Sequence, residues 1–480
     1  MLVALLDDGL DVRRIPREKI ICDLCVGEDG SIRERGETDV LPAQHGSTVA
    51  DIILQYAPDT VFCSLCIFYD DTLSATCRQL EAGLSWCLAH RIPVVHLSAG
   101  TKNAADYERL RRIVAQMILQ GQILVAAHSN SEGYCMPACL SGVFCVRMDV
   151  GMTGFTYGAD IRENGMAFRA SSRHKGFRGE ETALANSYAA PTVTAAVCIH
   201  YDEATGARSR SQALYRKLTG REPCFRTPDF AENAVVVNRS GTKLQEKAFF
   251  FRQGKVQTQG IDNGAERRSS GDAGRKKVLV WIPERQGDVQ EEKLLIEAAD
   301  EEAVAGIVYC GTLSQQARIQ LRDCLVWEEA GHQRSASCHH DMAEEFSDEA
   351  MLPLVMILGR PNEAVWLAAA LREEFLRERY ACVCISDLPM CYLYGIHPLI
   401  SGEFTYRELA GIRRGCHPDF MLCCSEHWVG GMDRSRYFVI DVSGICENLG
   451  VRADLALSMQ GPENAVELAK DRIMGYTWPD

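Results

Sequence analysis

At 480 residues the chain is long enough for two or three domains, each with its own core. A formal charge of −14 and a pI near 5.4 argue against the basic face that nucleic acid or an anionic membrane surface needs, and no apolar run reaches the length of a membrane span. The apolar start, Met1 to Leu6, is stopped by Asp7 and Asp8 and has no basic segment before it, so the expectation is an unsecreted, cytoplasmic chain with no membrane or nucleic-acid partner.

Cysteines number 21, many for such a chain and odd in count, and read as reduced, buried thiols. Cys22-Asp23-Leu24-Cys25 and Cys63-Ser64-Leu65-Cys66 have the spacing of zinc half-sites, but the second lies in a strand-like run whose alternate residues face opposite ways. Cys338-His339-His340 falls in a polar loop. No metal and no cofactor is expected.

Leu2 to Leu6 is a short continuous apolar run closed by Asp7-Asp8-Gly9, the pattern of a buried parallel strand delivering an acid to the carboxyl edge of a sheet. His45-Gly46-Ser47-Thr48-Val49-Ala50 then opens a run with helical spacing, its small residues keeping the imidazole accessible. Thr60 to Phe68 reads as a strand, Leu73 to His90 as an amphipathic helix, and Ile92 to Leu97 as a strand ending in Ser98-Ala99-Gly100-Thr101. A helix over Tyr107 to Gln120 follows, then strands over Ile123 to Ala127 and Val143 to Met148, the first ending in His128-Ser129-Asn130. Strands alternating with helices predict a doubly wound, mostly parallel α/β sheet with its site beyond the carboxyl ends of the strands. Further on, Ala185-Asn186-Ser187-Tyr188-Ala189-Ala190-Pro191 sets one serine among small residues where a helix begins, close to unpaired backbone N–H donors.

Taken together, these stretches resemble the subtilisin-like serine proteases over about residues 1 to 200. Ala4 to Gly9 is similar to the family's aspartate motif, His45 to Ala50 to its His-Gly-Thr-His-Val-Ala motif, and Ser187-Tyr188-Ala189-Ala190-Pro191 to its Ser-x-Ala-x-Pro core, in the chain order Asp, His, Ser. The resemblance implies Asp7, His45 and Ser187 as catalytic residues, Asn130 as the oxyanion-hole side chain, and Ser98, Ala99 and Gly100 as the segment that pairs with the substrate backbone. Asp8 and Asp11 are the competing carboxylates; Asp7 is favoured because it directly ends the strand. Activity is expected to fall below about pH 6.5 as His45 gains a proton.

The chain departs from the family in three places. Ala185-Asn186 stands where Gly-Thr is usual, Ser129 replaces the common glycine before the asparagine, and the chain begins almost at the first strand, so neither a propeptide nor its calcium ligands are expected.

After Ile199 the pattern weakens. Residues 206–275 read as a poorly patterned segment and linker, with apolar islands at Ala234 to Val237 and Ala248 to Phe251, between a peptidase domain over 1–205 and a C-terminal α/β domain over 276–480. In the latter, the strand Leu352 to Leu358 runs into Gly359-Arg360-Pro361-Asn362 and a helix, the layout of a phosphate-binding loop without its Gly-Lys-Ser/Thr. That half therefore resembles a degenerate nucleotide-binding fold, and nucleotide hydrolysis is not expected.

A protease fused to such a domain resembles the subtilases of ribosomal peptide natural-product maturation. The expected function is a serine endopeptidase acting on a peptide or precursor-peptide substrate, with other maturation enzymes as possible partners. The alternative is a catalytically impaired subtilase that binds peptides as a recognition module.

Overall fold

The computed structural model describes residues 1–36, 43–69, 73–131, 133–160, 165–176, 179–204, 206–251, 253–258, 277–329, 353–399, 409, 418–428, 437–459 and 461–478. Its N-terminal half is a nine-stranded sheet. The chain runs through β1 (Leu2–Asp7), β2 (Ile20–Val26), β3 (Ile32–Glu34), α1 (His45–Tyr56), β4 (Val61–Cys66), α2 (Cys77–Ala89), β5 (Val94–Leu97), α3 (Tyr107–Leu119), β6 (Ile123–Ala127), β7 (Phe144–Met148), β8 (Tyr157–Ala159), β9 (Met166–Ala170) and α4 (Asn186–His200). The spatial order is β3-β2-β4-β1-β5-β6-β7-β9-β8, parallel throughout except where β3 and β8 pair antiparallel at the two edges.

β1, made of Leu-Val-Ala-Leu-Leu-Asp, is buried from Val3 onward, as a continuous apolar run in a covered parallel sheet should be. The helices pack in pairs, α1 on α4 and α2 on α3. α4 buries Ala189 to Val197 without a polar face and so lies inside the protein. The helix read from Leu73 begins instead at Cys77. Thr76 caps it through a reciprocal pair with Gln79, and Leu73 has a positive φ of 52° that no helix accepts.

The two CxxC motifs lie side by side on β2 and β4, Cys22 opposite Cys63 and Cys25 opposite Cys66. A strand turns residues three apart to opposite faces, so the four sulfurs form two separated pairs rather than one tetrahedral set. Cys338-His339-His340 lie outside the described residues.

The segment read as poorly patterned carries real elements: α5 (Arg210–Thr219), β10 (Ala234–Asn238) and β11 (Gln253–Thr258). β10 and β11 join β12 (Val278–Ile282), β13 (Gly306–Tyr309) and β14 (Leu325–Glu328) in a five-stranded parallel sheet of order β11-β10-β12-β13-β14, with α6 (Val289–Glu301) and α7 (Gln315–Gln320) between its later strands. Residues 259–275, the remainder of the expected linker, lie outside the described set.

A third sheet, six-stranded and parallel, comprises β15 (Leu354–Leu358), β16 (Cys382–Ser386), β17 (His397–Pro398), β18 (Phe420–Ser425), β19 (Tyr437–Asp441) and β20 (Leu455–Ala456), flanked by α8 (Pro361–Arg377) and α9 (Pro462–Met474). At the glycine loop after β15, the Arg360 N–H donates to Ser443 Oγ at 2.8 Å, and Ser443 in turn donates to Glu363. The first turn of α8 thus already holds a carboxylate, where a phosphate site would need an open cradle.

Candidate active site

β1 ends in three acids that the fold separates. Asp7 closes the strand and is 1% exposed. Asp8 Oδ2 accepts the N–H groups of Ala43 at 3.1 Å and His45 at 3.0 Å, while its Oδ1 accepts Gly46 N–H at 2.7 Å. Asp8 therefore caps α1, whose own N-cap residue Gln44 makes no side-chain capping bond. Asp11 is bound to Arg13 at 2.8 Å, and its backbone N–H donates to Ser47 Oγ.

The junction between β1 and α1 is so close that a Cβ on Gly46 would lie 2.7 Å from the Gly9 carbonyl oxygen. That approach places His45 over Asp7. His45 Nδ1 lies 2.9 Å from Asp7 Oδ1 and 3.0 Å from Oδ2, and Nε2 lies 3.0 Å from Ser187 Oγ. With Nδ1–H donating to the carboxylate, Nε2 is left to accept the Ser187 hydroxyl.

Ser187 is the second residue of α4 and half-buried; of the N–H groups beside it, that of Asn186 goes to Asn130 Oδ1 and that of Tyr188 to the Ala185 carbonyl at 3.1 Å. Pro191, inside that helix, has no N–H to give the Ser187 carbonyl. The Tyr188 ring lies beside the imidazole with centroids 4.9 Å apart.

Burial is the largest influence on Asp7 and acts to raise its pKa. The positive His45 and hydrogen bonds from His45, the Asp8 N–H and the Ser98 hydroxyl outweigh it, so the carboxyl titrates below its usual range. Burial likewise opposes the charged form of His45, yet the neighbouring charges of Asp7 and Asp8 and the Asp7 hydrogen bond prevail and raise its pKa. A base must be neutral to take a proton. The acid limb of activity should therefore sit above the ordinary histidine value of about 6.5, with activity falling as pH drops through it. A pH–rate profile checks this; an acid limb at or below the ordinary value would contradict it.

Ser98, read as part of the substrate edge, also reaches inward to Asp7. Its Oγ lies 3.3 Å from Nε2 of His96, a fully buried imidazole whose Nδ1 is 2.8 Å from Thr194 Oγ1 and whose pKa burial pushes down to about 4. Sequence reasoning did not single out His96. The available signal was its place two residues before Ser98, on the same face of a strand. The Ala99 and Gly100 backbones follow β5 at the carboxyl edge, outside any ladder among the described residues, before Thr101 pairs with Met136 through two bonds of 2.8 Å.

Asn130 follows β6 in an exposed turn. Its Oδ1 accepts the Asn186 N–H at 2.9 Å, which fixes the amide so that the Nδ2 donor faces away from α4's first N–H. Asn186 is buried, 6% exposed. Its Oδ1 accepts Met148 N–H at 2.8 Å, and its Nδ2 donates to the carbonyls of His128 at 3.1 Å and Ser129 at 2.8 Å.

A cavity of about 120 Å³ lies further along, beyond Thr101, between Lys102, Tyr134 and Met136 on one side and Phe249, Leu376 and Val383 on the other. Asp7, His45 and Ser187 do not line it. No group of three or more metal-ligating side chains is present among the described residues, and among them no helix is long and apolar enough to cross a membrane.

No protein-family model matches the chain, and no curated protein sequence matches it. Solved structures do. One described as a cold-adapted subtilisin-like serine proteinase matches over 46% of this chain and 81% of its own, at 18% identity and a TM-score of 0.36. The prenylagaramide maturation protease PagA matches over 46% of this chain and 86% of its own, at 18% identity and a TM-score of 0.34. The nisin leader peptidase NisP from Lactococcus lactis matches over 45% and 81%, at 15% identity and a TM-score of 0.35.

Proposed function

We propose that the chain is a serine endopeptidase that cleaves a peptide or precursor peptide through Asp7, His45 and Ser187. The observation that carries this reading is the continuous contact from the Asp7 carboxylate through both nitrogens of His45 to Ser187 Oγ, at 2.9 and 3.0 Å. Ser187 Oγ attacks the scissile carbonyl while His45 Nε2 takes its proton. The imidazolium is stabilised by Asp7 and returns the proton to the leaving amine. Asn130 Nδ2 and the Ser187 N–H hold the developing oxyanion, and the unladdered Ser98–Gly100 backbone receives the substrate as an added strand.

Trimming of a ribosomally made precursor is the substrate class this reading favours, in company with other maturation enzymes. The number of cysteines and the burial of most of them among the described residues favour reduced thiols and a reducing compartment such as the cytoplasm. The C-terminal sheets, from about residue 206 onward, are proposed as a non-catalytic part that positions substrate or partner.

The alternative, an impaired peptide-binding module, draws on Asn186 in place of a usual threonine. It requires an unreactive Ser187. Treatment of the full chain with a fluorophosphonate probe, followed by peptide mapping, separates the two. The endopeptidase reading expects one adduct, on Ser187, that a prior serine-protease inhibitor prevents. An unmodified Ser187 would falsify it.

A further inference from the structure

We infer that Asn186, the residue before the nucleophile, is a positioning residue that sets the oxyanion donors by holding the Asn130 turn against the start of α4. The inference rests on the endopeptidase reading and deepens it.

One buried side chain joins three segments of the chain. Asn186 Oδ1 takes the N–H of Met148 at the end of β7, and both Nδ2 hydrogens go to successive carbonyls, His128 and Ser129, of the turn after β6. Its own backbone N–H goes to Asn130 Oδ1. The side chain therefore fixes where the turn's backbone lies, and the main chain fixes which way the Asn130 amide faces. With one bond at Oδ1 and two at Nδ2, the Asn186 amide spends both of its donors and one of its two acceptor sites.

The proposed oxyanion donors are Asn130 Nδ2 and the N–H of Ser187, the residue covalently next to Asn186. Their separation is thus governed by a single rigid unit. Ser129 O has a second donor, His128 Nδ1 at 2.9 Å, and His128 Nε2 in turn faces Arg147 at 2.9 Å, so the turn is braced from its far side as well.

Threonine or alanine at 186 could keep the backbone bond to Asn130 but could not reach two carbonyls with two donors. The turn would then keep its fold while losing the fixed offset between the two donors, and an offset near 1 Å is worth roughly 100-fold in rate.

The test is a double-mutant cycle on the full chain, read as the inactivation rate constant kinact and the binding constant KI of a fluorophosphonate at Ser187. Asn130→Ala should lower kinact roughly 100- to 1,000-fold. Asn186→Ala should lower it roughly 10- to 100-fold with KI unchanged. If Asn186 acts through Asn130, the double variant should be no slower than Asn130→Ala alone. A residue that merely stabilises the fold would lower the melting temperature but leave kinact of the folded protein alone. Should Asn186→Ala fail to fold, Asn186→Asp serves the same cycle. It keeps the size and the Met148 acceptor but presents an oxygen to the two carbonyls. Parental kinact in either variant, or effects that multiply in full, overturns the inference while leaving the endopeptidase reading intact. A parent that never labels at Ser187 removes both.

Discussion

Replacement of Asp7 by asparagine is expected to lower the rate of peptide hydrolysis about 10,000-fold without unfolding the protein. The reason lies in the hydrogens. Asp7 receives donors from the Asp8 N–H, the Ser98 hydroxyl and His45 Nδ1. An asparagine of the same shape keeps one oxygen, and its amide turns two hydrogens towards groups that are themselves donors. The imidazole can accommodate an N–H neighbour by moving its own proton to Nε2, and that nitrogen can then no longer accept from Ser187. Asp8 cannot stand in, because both of its oxygens are committed to the start of α1. Loss of the Asp7 charge also removes a cause of the raised His45 pKa, so the residual activity should show its acid limb at lower pH than the parent. Rate measurements across pH on both proteins check the two effects together. A variant within tenfold of the parent would mean that Asp7 does not orient the base.

Arg111 should give the largest loss of stability. Its guanidinium is fully buried on α3, paired with Glu108 and with Glu232, which is equally buried. It also donates to the carbonyls of Asp229, Ala231 and Phe250 and lies over the Phe250 ring. Arg111→Met fills the volume but strands the Glu232 carboxylate in the interior, a change that costs about 3–5 kcal/mol. Adding Glu232→Gln should recover part of that loss, since it removes the stranded charge. Urea unfolding followed by tryptophan fluorescence measures both, and an Arg111→Met midpoint equal to the parent's would refute the argument.

These residues differ in how far they can be read from the chain. Asp7, His45 and Ser187 each stand in a short motif whose neighbours are fixed by local backbone needs, Gly46 being the clearest, so the pattern survives in one dimension. Choosing among Asp7, Asp8 and Asp11 is harder, because the choice depends on where the start of α1 docks, and that is a tertiary fact. Arg111 looks like any charge on an amphipathic helix. Its partner Glu232 is 121 residues away, and nothing local marks the pair.

Asn186 reads as a defect in a familiar motif until its two carbonyl partners are in view. β10 coincides with the apolar island at Ala234 to Val237, whereas β11, Gln-Gly-Lys-Val-Gln-Thr, has almost no apolar content with which to announce a strand. The acid limb is expected above the ordinary histidine value because the charges of Asp7 and Asp8 raise the His45 pKa, and their approach to it is invisible in sequence.

β1 lies in the middle of its sheet, with Leu2 bonded in register to Val61 and Val3 to Val94, both from strands that follow it in the chain. Its acid has no work until His45 docks, and His45 meets Ser187 across 142 residues. Such long-range parallel pairings close late in folding, since each must first meet the entropy of a large loop. A half-folded chain therefore carries Asp7, His45 and Ser187 without the contacts that join them. Under the endopeptidase reading, a chain whose sheet has not closed has no assembled nucleophile with which to cut a neighbour.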